Sequence, residues 1–155
     1  MEIYLSKKGK KLLEEKLELI EKEIVDTYKR MGESAKVDND LRENPEYNEL
    51  QTKVSYALPL EKSKIREMLN NSLIIEEQEF YKNFNGKEVV IGSKVKILYN
   101  NIEEEYSIVG QGEDDPMSNI ISYSCDFAKN LVGKMKNDKF KYKNAEIIIL
   151  DIVLN

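Results

Sequence analysis

The first half of the chain repeats its apolar residues with the period of a coiled coil, and this pattern limits the possible folds more than any other feature. The spacing alternates between four and three residues through Leu13, Leu17, Ile20, Ile24, Thr27 and Met31. Such a seam lies along one face of an α-helix and needs a partner to cover it. Ser6 is a good N-cap where this helix would begin, and Leu5 before it can form a hydrophobic staple. The sequence therefore predicts a long helix packed against another helix.

A second apolar series predicts the partner helix. Residues 32–44 are mostly polar, and Asn44 and Pro45 then supply an N-cap and a proline suited to the first turn. The second series consists of Tyr47, Leu50, Val54, Leu58, Ile65, Met68 and Leu69. A short polar turn between two helices of about 25–30 residues, or roughly 40 Å, makes an antiparallel hairpin. Pro59 lies inside the second helix and predicts a kink or a one-residue bulge.

The second half of the chain changes to the alternation that is typical of β-strands. The predicted strands are 88–99, 104–109, 119–123, 138–143 and 145–154. A short helix is predicted from Cys125 to Lys134, ending at Gly133. The predicted fold class is α+β, with an antiparallel coiled-coil hairpin at 1–75, a linker at 76–86 and a small antiparallel sheet domain at 87–155.

Composition excludes several kinds of function. The formal net charge of −5 argues against non-specific binding to duplex DNA, which needs a basic surface. The chain has no histidine, so any metal site must use carboxylates, which suit hard ions such as Mg²⁺. A single cysteine, Cys125, rules out an intrachain disulfide and favours a cytoplasmic setting; it is predicted to be a small buried residue or a helix cap. No apolar run is long enough to span a membrane.

Acidic residues gather at the predicted hairpin turn. The turn and its flanks carry Asp38, Asp40, Glu43 and Glu46, with Lys36 and Arg42 among them. Two carboxylates close in sequence can offer oxygen ligands to one Mg²⁺. Acidic residues at a turn also stabilise the N-terminus of the following helix, and charge alone does not separate these two interpretations.

The segment Asp40 to Tyr47, DLRENPEY, resembles the signature of the Gre transcript-cleavage factors, GreA and GreB. The opening Ser6-x-x-Gly9-x-x-x-Leu13 is similar to the start of that family, and the segments 120–122 and 131–134 resemble its C-terminal motif. The resemblance runs from about residue 4 to the end and is closer to GreA than to GreB. It departs at Asn39, where the family usually has glycine, and at Cys125-Asp126, where it commonly has Ser-Pro.

The resemblance implies a role for each part of the tip. Asp40 and Glu43 match the two acidic residues that act in catalysis by helping to hold a second Mg²⁺ in the polymerase active site. The ion would be shared with the polymerase, whose own carboxylates bind the first one, and water would then cut backtracked RNA and free a new 3′ end. Four neighbours match positions that shape the tip: Leu41, Arg42, Asn44 and Tyr47.

The resemblance also implies partners. The candidates for contact with the nascent RNA 3′ end are Lys29, Arg30, Lys36 and Arg42, and Lys53 is a further candidate. The C-terminal domain would be FKBP-like and would dock on bacterial RNA polymerase through Ser122, Ser124, Asp126, Lys129 and Lys134. The chain is then expected to be a cytoplasmic monomer that is not itself a nuclease and stimulates the nuclease activity of the polymerase.

Three alternatives stay open at this stage. The first is a Gre paralogue that binds the secondary channel of the polymerase without stimulating cleavage, although both Asp40 and Glu43 are present. The second is an FKBP-like prolyl isomerase or chaperone with a helical arm, which would have no need of an acidic tip. The third is a plain coiled-coil adaptor, in which replacing Asp40 would have no effect.

Overall fold

A computed structural model describes residues 2–155 of the protein. The chain divides into two compact units, one made of the residues up to Lys10 together with Ser72–Asn155, and the other of Lys11–Asn71. The predicted fold class, a helical hairpin with a small antiparallel-rich sheet domain, is confirmed. The predicted division at 75 and 86 differs from the observed one, because the first residues of the chain group with the sheet domain.

The helical unit is an antiparallel hairpin. Its first arm is α1 (Lys7–Val37), which begins in the other unit, and its second arm consists of α2 (Pro45–Thr52), a π-helical turn (Lys53–Ala57) and α3 (Leu58–Asn71). The predicted seams meet in two buried clusters, one around Ile20, Leu58 and Ile65 and one around Met31, Leu50 and Val54. Both seams are therefore confirmed, with Thr27 buried between the clusters.

The π-helical turn lies just before Pro59 and confirms the predicted irregularity. The backbone N–H of Leu58 donates to the carbonyl of Lys53, five residues back. Pro59 therefore follows a wider turn and does not interrupt a regular series of α-helical hydrogen bonds. Proline lacks an N–H and its ring collides with the carbonyl four residues earlier, so one extra residue in the preceding turn relieves both problems. The extra residue also shifts the positions that face the first arm.

Ion pairs between the arms fix the register of the hairpin. Glu21 accepts hydrogen bonds from Lys62 and Arg66, each at 3.0 Å. The bond from Lys62 and its charge lower the pKa of the Glu21 carboxyl. Near the other end, Arg30 lies 3.9 Å from Glu46. These pairs are exposed to solvent, so they add little stability and mainly favour one alignment of the arms.

The larger sheet of this domain consists of β3 (Ser93–Tyr99), β4 (Ile102–Val109), β5 (Ile120–Ser122), β6 (Lys139–Tyr142) and β7 (Ala145–Leu154). These five strands lie in the order β5-β4-β3-β7-β6. All neighbours are antiparallel except β4 and β5. A short helix, α5 (Asp126–Leu131), buries Ala128 and Leu131 among the apolar residues of one sheet face. Five aromatic residues of this domain pack against that core: Tyr99, Tyr106, Tyr123, Phe127 and Phe140.

The segment predicted as a linker, 76–86, contains short regular elements. Strand β2 (Ser72–Ile74) pairs in parallel with β1 (Ile3–Leu5), and a 3-10 turn (Ile75–Glu77) and a short helix α4 (Glu79–Lys82) follow. Three-residue strands are too short to produce a visible alternation, and their partners lie far apart in the sequence. This pairing explains why the first residues of the chain belong to the sheet domain.

The strand predicted at 88–99 is shorter than expected. Residues 88–91 lie outside β3 because Gly92 adopts a φ of +91° and turns the chain before Ser93. A Cβ at this glycine would lie 2.7 Å from the Cγ2 atom of Ile75, so the backbone also needs glycine for close packing.

Among residues 2–155, no helix combines the length and the apolar character that crossing a membrane requires.

Candidate functional site at the hairpin tip

The tip turn, residues 38–44, is shorter than the polar stretch in the sequence. Helix α1 continues past Met31 to Val37, and α2 begins at Pro45. Ser34 follows Met31 by three residues and occupies the next position of the seam, where it is buried. A small polar residue thus continues the interface between the helices, because its partner on the other side is polar too.

That partner is Asn44, whose side chain organises the whole turn. Its Oδ1 atom accepts the backbone N–H of Tyr47 at 3.0 Å and caps α2, as predicted. Its Nδ2 atom donates to the carbonyl oxygens of Ser34 and Asp38, each at 3.2 Å, and lies 3.1 Å from the hydroxyl of Ser34. Only 5% of Asn44 is exposed, so water cannot readily replace these bonds. Asn44 therefore ties the end of α1 to the start of α2.

Two aspartates form consecutive hydrogen-bonded turns between the helices. The N–H of Asp40 donates to Oδ1 of Asp38 at 3.1 Å, and the N–H of Arg42 donates to Oδ1 of Asp40 at 3.2 Å. The N–H of Glu43 also donates to the backbone carbonyl of Asp40 at 3.1 Å. Asp40 and Glu43 are thus held in one tight turn by contacts inside residues 38–43.

The carboxylates of Asp40 and Glu43 face solvent. One oxygen of Asp40 supports the turn, which leaves its other oxygen and both oxygens of Glu43 for a ligand. Across residues 2–155, no group of three or more His, Cys, Asp or Glu side chains is arranged to hold a metal ion. The tip therefore offers hard oxygen donors that suit Mg²⁺ but only part of a coordination shell, which a partner would have to complete.

The other two predicted tip-shaping residues differ in burial. Tyr47 is half-buried and packs against the cluster of Met31, Leu50 and Val54, below the turn. Leu41 is 39% exposed at the end of the hairpin, where an apolar side chain lacks cover. Tyr47 supports the tip from inside, whereas Leu41 presents apolar surface to whatever meets the tip.

The predicted basic residues fall into two groups. Arg30 pairs with Glu46, and Lys53 lies 2.5 Å from Glu23, so both contribute to pairs between the helices. Lys29 and Lys36 are exposed and stand seven residues apart on α1, which places them on one face of the helix. With exposed Arg42 at the turn, this second group is better placed to meet an anion.

The residues predicted to dock on a partner surround the start of α5. Ser122 is buried, and its Oγ shares a hydrogen bond with Oγ of Ser124 at 2.8 Å, so this pair shapes the approach to the helix. Asp126 and Lys129 are exposed on α5, and Asp126 accepts a hydrogen bond from the hydroxyl of Tyr142 at 2.9 Å.

Two further side chains complete this region. Lys134 is half-buried, with its Nζ atom 4.9 Å from the ring centre of Phe140. Cys125 is the N-cap of α5, where its sulfur accepts the N–H of Ala128 at 3.3 Å, which confirms the interpretation as a helix cap. Asp126 and Lys129 are therefore the exposed members of the predicted docking set.

The sequence prediction missed Ser34, the residue on α1 that completes the Asn44 network. A signal was present, because Ser34 continues the alternating spacing of four and three residues that runs from Leu13 to Met31. Serine is small and polar, so this spacing alone does not indicate a buried position until its polar partner is located.

Comparison with known proteins connects this geometry to a family. Residues 85–153 match the family described as transcription elongation factor, GreA/GreB, C-term. A transcription elongation factor GreA of Shouchella clausii is 32% identical over 142 residues, which span 88% of this chain and 84% of the relative. The GreA of Halalkalibacterium halodurans is 36% identical over 141 residues, covering 87% of this chain and 84% of that protein.

Two solved structures can be aligned over nearly the whole chain, at low TM-scores. The GreA factor homolog 1 (Gfh1) of Thermus thermophilus has a TM-score of 0.44 at 17% identity and covers 99% of both chains. A prokaryotic transcription elongation factor GreA/GreB from Nitrosomonas europaea has a TM-score of 0.42 at 12% identity, with 98% of both chains covered.

Proposed function

The chain belongs to the GreA/GreB family of transcription elongation factors, and we propose that it stimulates the cleavage of backtracked RNA by bacterial RNA polymerase. In this proposal the hairpin enters the secondary channel of the polymerase and brings the tip turn to the nascent RNA 3′ end. The protein acts in the cytoplasm as a monomer.

The observation that carries the proposal is the pair of exposed carboxylates on a turn held by its own hydrogen bonds. Asp40 and Glu43 lie in one tight turn, and Asn44 holds that turn between the two helices. A prearranged pair of anionic groups can engage a partner without first ordering a loop, which preserves binding free energy. A hairpin end of this kind suits insertion into a cavity that another molecule provides.

We propose that Asp40 and Glu43 provide oxygen ligands to a Mg²⁺ ion that the polymerase also binds. Their donor chemistry fits this ion, and two side chains cannot fill its coordination shell, so the proposal requires ligands from the polymerase as well. When bound, Mg²⁺ supplies a Lewis acid for phosphodiester hydrolysis. The part of this chain is to hold two anionic side chains at a fixed position.

It follows that the protein is not itself a nuclease in this proposal. Asp40 and Glu43 are exposed on a turn, whereas orientation of a bound substrate supplies a large share of the rate in such reactions, so the proposal assigns that orientation to the polymerase. Lys29, Lys36 and Arg42 are proposed to approach RNA phosphates, while Asp126 and Lys129 on α5 are proposed to contact the polymerase.

The test is RNA cleavage in a backtracked elongation complex with Mg²⁺, comparing the wild type with Asp40→Asn/Glu43→Gln. These changes remove both charges but keep the polar atom of residue 40 that accepts the Arg42 N–H, so the turn should survive. We expect release of a 3′ fragment with the wild type and a loss of at least about a hundredfold with the double variant. Glu49→Ala, an exposed change in α2, is the matched control and should retain activity.

The outcomes separate the alternatives. If neither protein stimulates cleavage but both compete with another ligand of the secondary channel, the chain is a binding paralogue and the role of the tip carboxylates is wrong. Cleavage of naked RNA by the wild type would contradict the accessory role. Clear turnover of a prolyl peptide would support the isomerase alternative instead.

A further inference from the structure

A carboxylate of the sheet domain is fastened to the first turn of α1. Glu113 lies in the loop between β4 and β5, and its Oε1 atom accepts the backbone N–H of Ser6 at 2.8 Å. Its Oε2 atom accepts the hydroxyl of Ser6 at 2.5 Å, and the same hydroxyl accepts the N–H of Gly9 at 2.9 Å. We call these contacts the Glu113 clamp. Two backbone N–H groups at the start of α1 are thus satisfied, one directly and one through Ser6.

Two glycines leave room for this carboxylate. A Cβ at Gly9 or at Gly110 would collide with Oε1 of Glu113. At Gly110 it would also lie 2.7 Å from the backbone oxygen of Tyr4 and 2.9 Å from Cα of Leu5. Glycine inside a helix is less favourable than alanine by about 1 kcal/mol, so Gly9 is expected there only for a specific reason. The close approach of Glu113 is that reason, and it accounts for the Ser6-x-x-Gly9 spacing.

The neighbouring backbone reinforces the same attachment. The N–H of Gln111 donates to the carbonyl of Tyr4 at 2.8 Å, just before the helix begins. The N–H of Tyr4 donates to the hydroxyl of Tyr123 at 3.2 Å. The clamp is therefore part of a connected set of bonds that fixes where the chain enters α1.

A second carboxylate at the same helix end offers a natural comparison. Both oxygens of Glu76 accept the N–H of Lys7, at 3.1 and 3.0 Å, but this contact is open to solvent. Glu76 satisfies the N–H of Lys7 at the start of the helix. It caps the helix in the usual way, whereas Glu113 both caps the helix and fills a space kept free for it.

We propose that Glu113 is a positioning residue for cleavage stimulation, a role that rests on the function proposed above. Helix α1 runs without a break from Lys7 to Val37, so the clamped first turn and the last turn before the tip belong to one continuous helix. A small angular movement at one end of such a helix becomes a displacement of several ångströms at the other, about 45 Å away. The clamp limits this movement and so keeps the carboxylates of Asp40 and Glu43 within reach of the reacting phosphate.

Amide hydrogen exchange tests the clamp in the free protein. In Glu113→Ala the amide of Ser6 should exchange at least about tenfold faster, while the amide of Lys7 keeps its protection. In Glu76→Ala the effects should be reversed. Equal protection of the Ser6 amide in the wild type and in Glu113→Ala would overturn the clamp itself.

Cleavage assays at saturating factor test the positioning role. Glu113→Ala removes the carboxylate, and Gly9→Ala displaces it without removing it. We expect each variant to lower the maximal rate of cleavage by about tenfold. The concentration of factor that gives half of the maximal rate should change less. Glu113→Gln keeps both polar atoms and should restore most of the rate. Glu76→Ala should behave as the wild type. All assays are run well below the unfolding temperature of each variant.

The results separate failure of this role from failure of the proposed function. A merely structural contribution would lower the unfolding temperature of Glu113→Ala but leave its maximal rate unchanged, and that result would overturn the positioning role while the proposed function stands. A wild type that never stimulates cleavage would overturn both.

Discussion

Replacing Asn44 with alanine should destabilise the hairpin by about 2–4 kcal/mol. The substitution removes the side chain that caps α2 and also bonds to the end of α1. It leaves the helices, the seam and the tip carboxylates in place. The experiment therefore isolates the hydrogen-bond network that gives the tip turn its shape.

The magnitude follows from the bonds that are lost. The cap from Asn44 to the N–H of Tyr47 is worth about 1 kcal/mol by comparison with other N-caps. The Nδ2 atom bonds to oxygens of Ser34 and Asp38, and the buried hydroxyl of Ser34 would lose its partner. An unsatisfied buried polar group costs about 1–3 kcal/mol, whereas the carbonyl of Asp38 at the exposed turn can bond to water instead.

The assay is urea denaturation followed by far-ultraviolet circular dichroism, with two comparison variants. Asn44→Asp keeps an acceptor for the N–H of Tyr47 but loses the Nδ2 donor, so it should lose about half as much stability as Asn44→Ala. Asn48→Ala removes an exposed amide that lies 3.4 Å from the carbonyl of Arg42, and it should change stability by less than about 0.5 kcal/mol.

Two results would refute this reasoning. One is a loss below about 0.5 kcal/mol for Asn44→Ala, which would mean that water replaces the network at no cost. The other is an equal loss for Asn44→Ala and Asn48→Ala, since a buried and an exposed amide would then contribute alike. Either result would mean that the Asp38–Glu43 turns, and not Asn44, determine the shape of the tip.

Two predictions concern the sheet domain. Gly92→Ala should lower the free energy of unfolding by more than about 2 kcal/mol, because Gly92 has a φ of +91° and a Cβ would lie 2.7 Å from Cγ2 of Ile75. Thermal unfolding measures this loss. The control is Gly112→Ala, which should cost less because Gly112 also has a positive φ but lies in open space. Burial and a hydrogen bond to Glu104 raise the pKa of Tyr106 from 10.0 to about 12. Its contribution to stability is therefore complete below pH 10.0 and is lost as the pH rises through about 12. Denaturation of Tyr106→Phe across this range should show a weaker dependence on pH than the wild type, with the remainder due to Tyr4, whose pKa is also raised to about 12.

The elements that the sequence predicted well depend on local or periodic signals. The seam from Leu13 to Met31 repeats with the helix, so its buried face follows from the spacing alone. Asn44 and Pro45 signal the start of α2 within two residues, and the strand predicted at 145–154 has the observed bounds because its β-branched run is long. At Pro59 the chemistry of proline predicted an irregularity, and the π-helical turn supplied it.

The parts that the sequence could not predict depend on polar contacts between distant residues. Ser6 and Glu113 are separated by 107 positions, and neither belongs to a pattern that points to the other. The three-residue strands β1 and β2 pair through backbone atoms, which leave no trace in the choice of side chains. In the candidate site, Asp40 and Glu43 were found from a resemblance, whereas the role of Ser34 required its partner Asn44 to be located first.

The tip combines a shape and a charge that can be tested separately because they reside in different atoms. Asn44 holds the turn through a buried network, while Glu43 contributes exposed oxygens that do not support the fold. If Asn44 acts only by placing the carboxylates, Asn44→Ala should reduce cleavage in the wild-type background. The same change should cause no further loss of cleavage in Asp40→Asn/Glu43→Gln, because the effects of residues that act as a unit are not additive. A further loss of the residual cleavage in the triple variant would mean that the shape of the tip contributes to the polymerase complex independently of its charge.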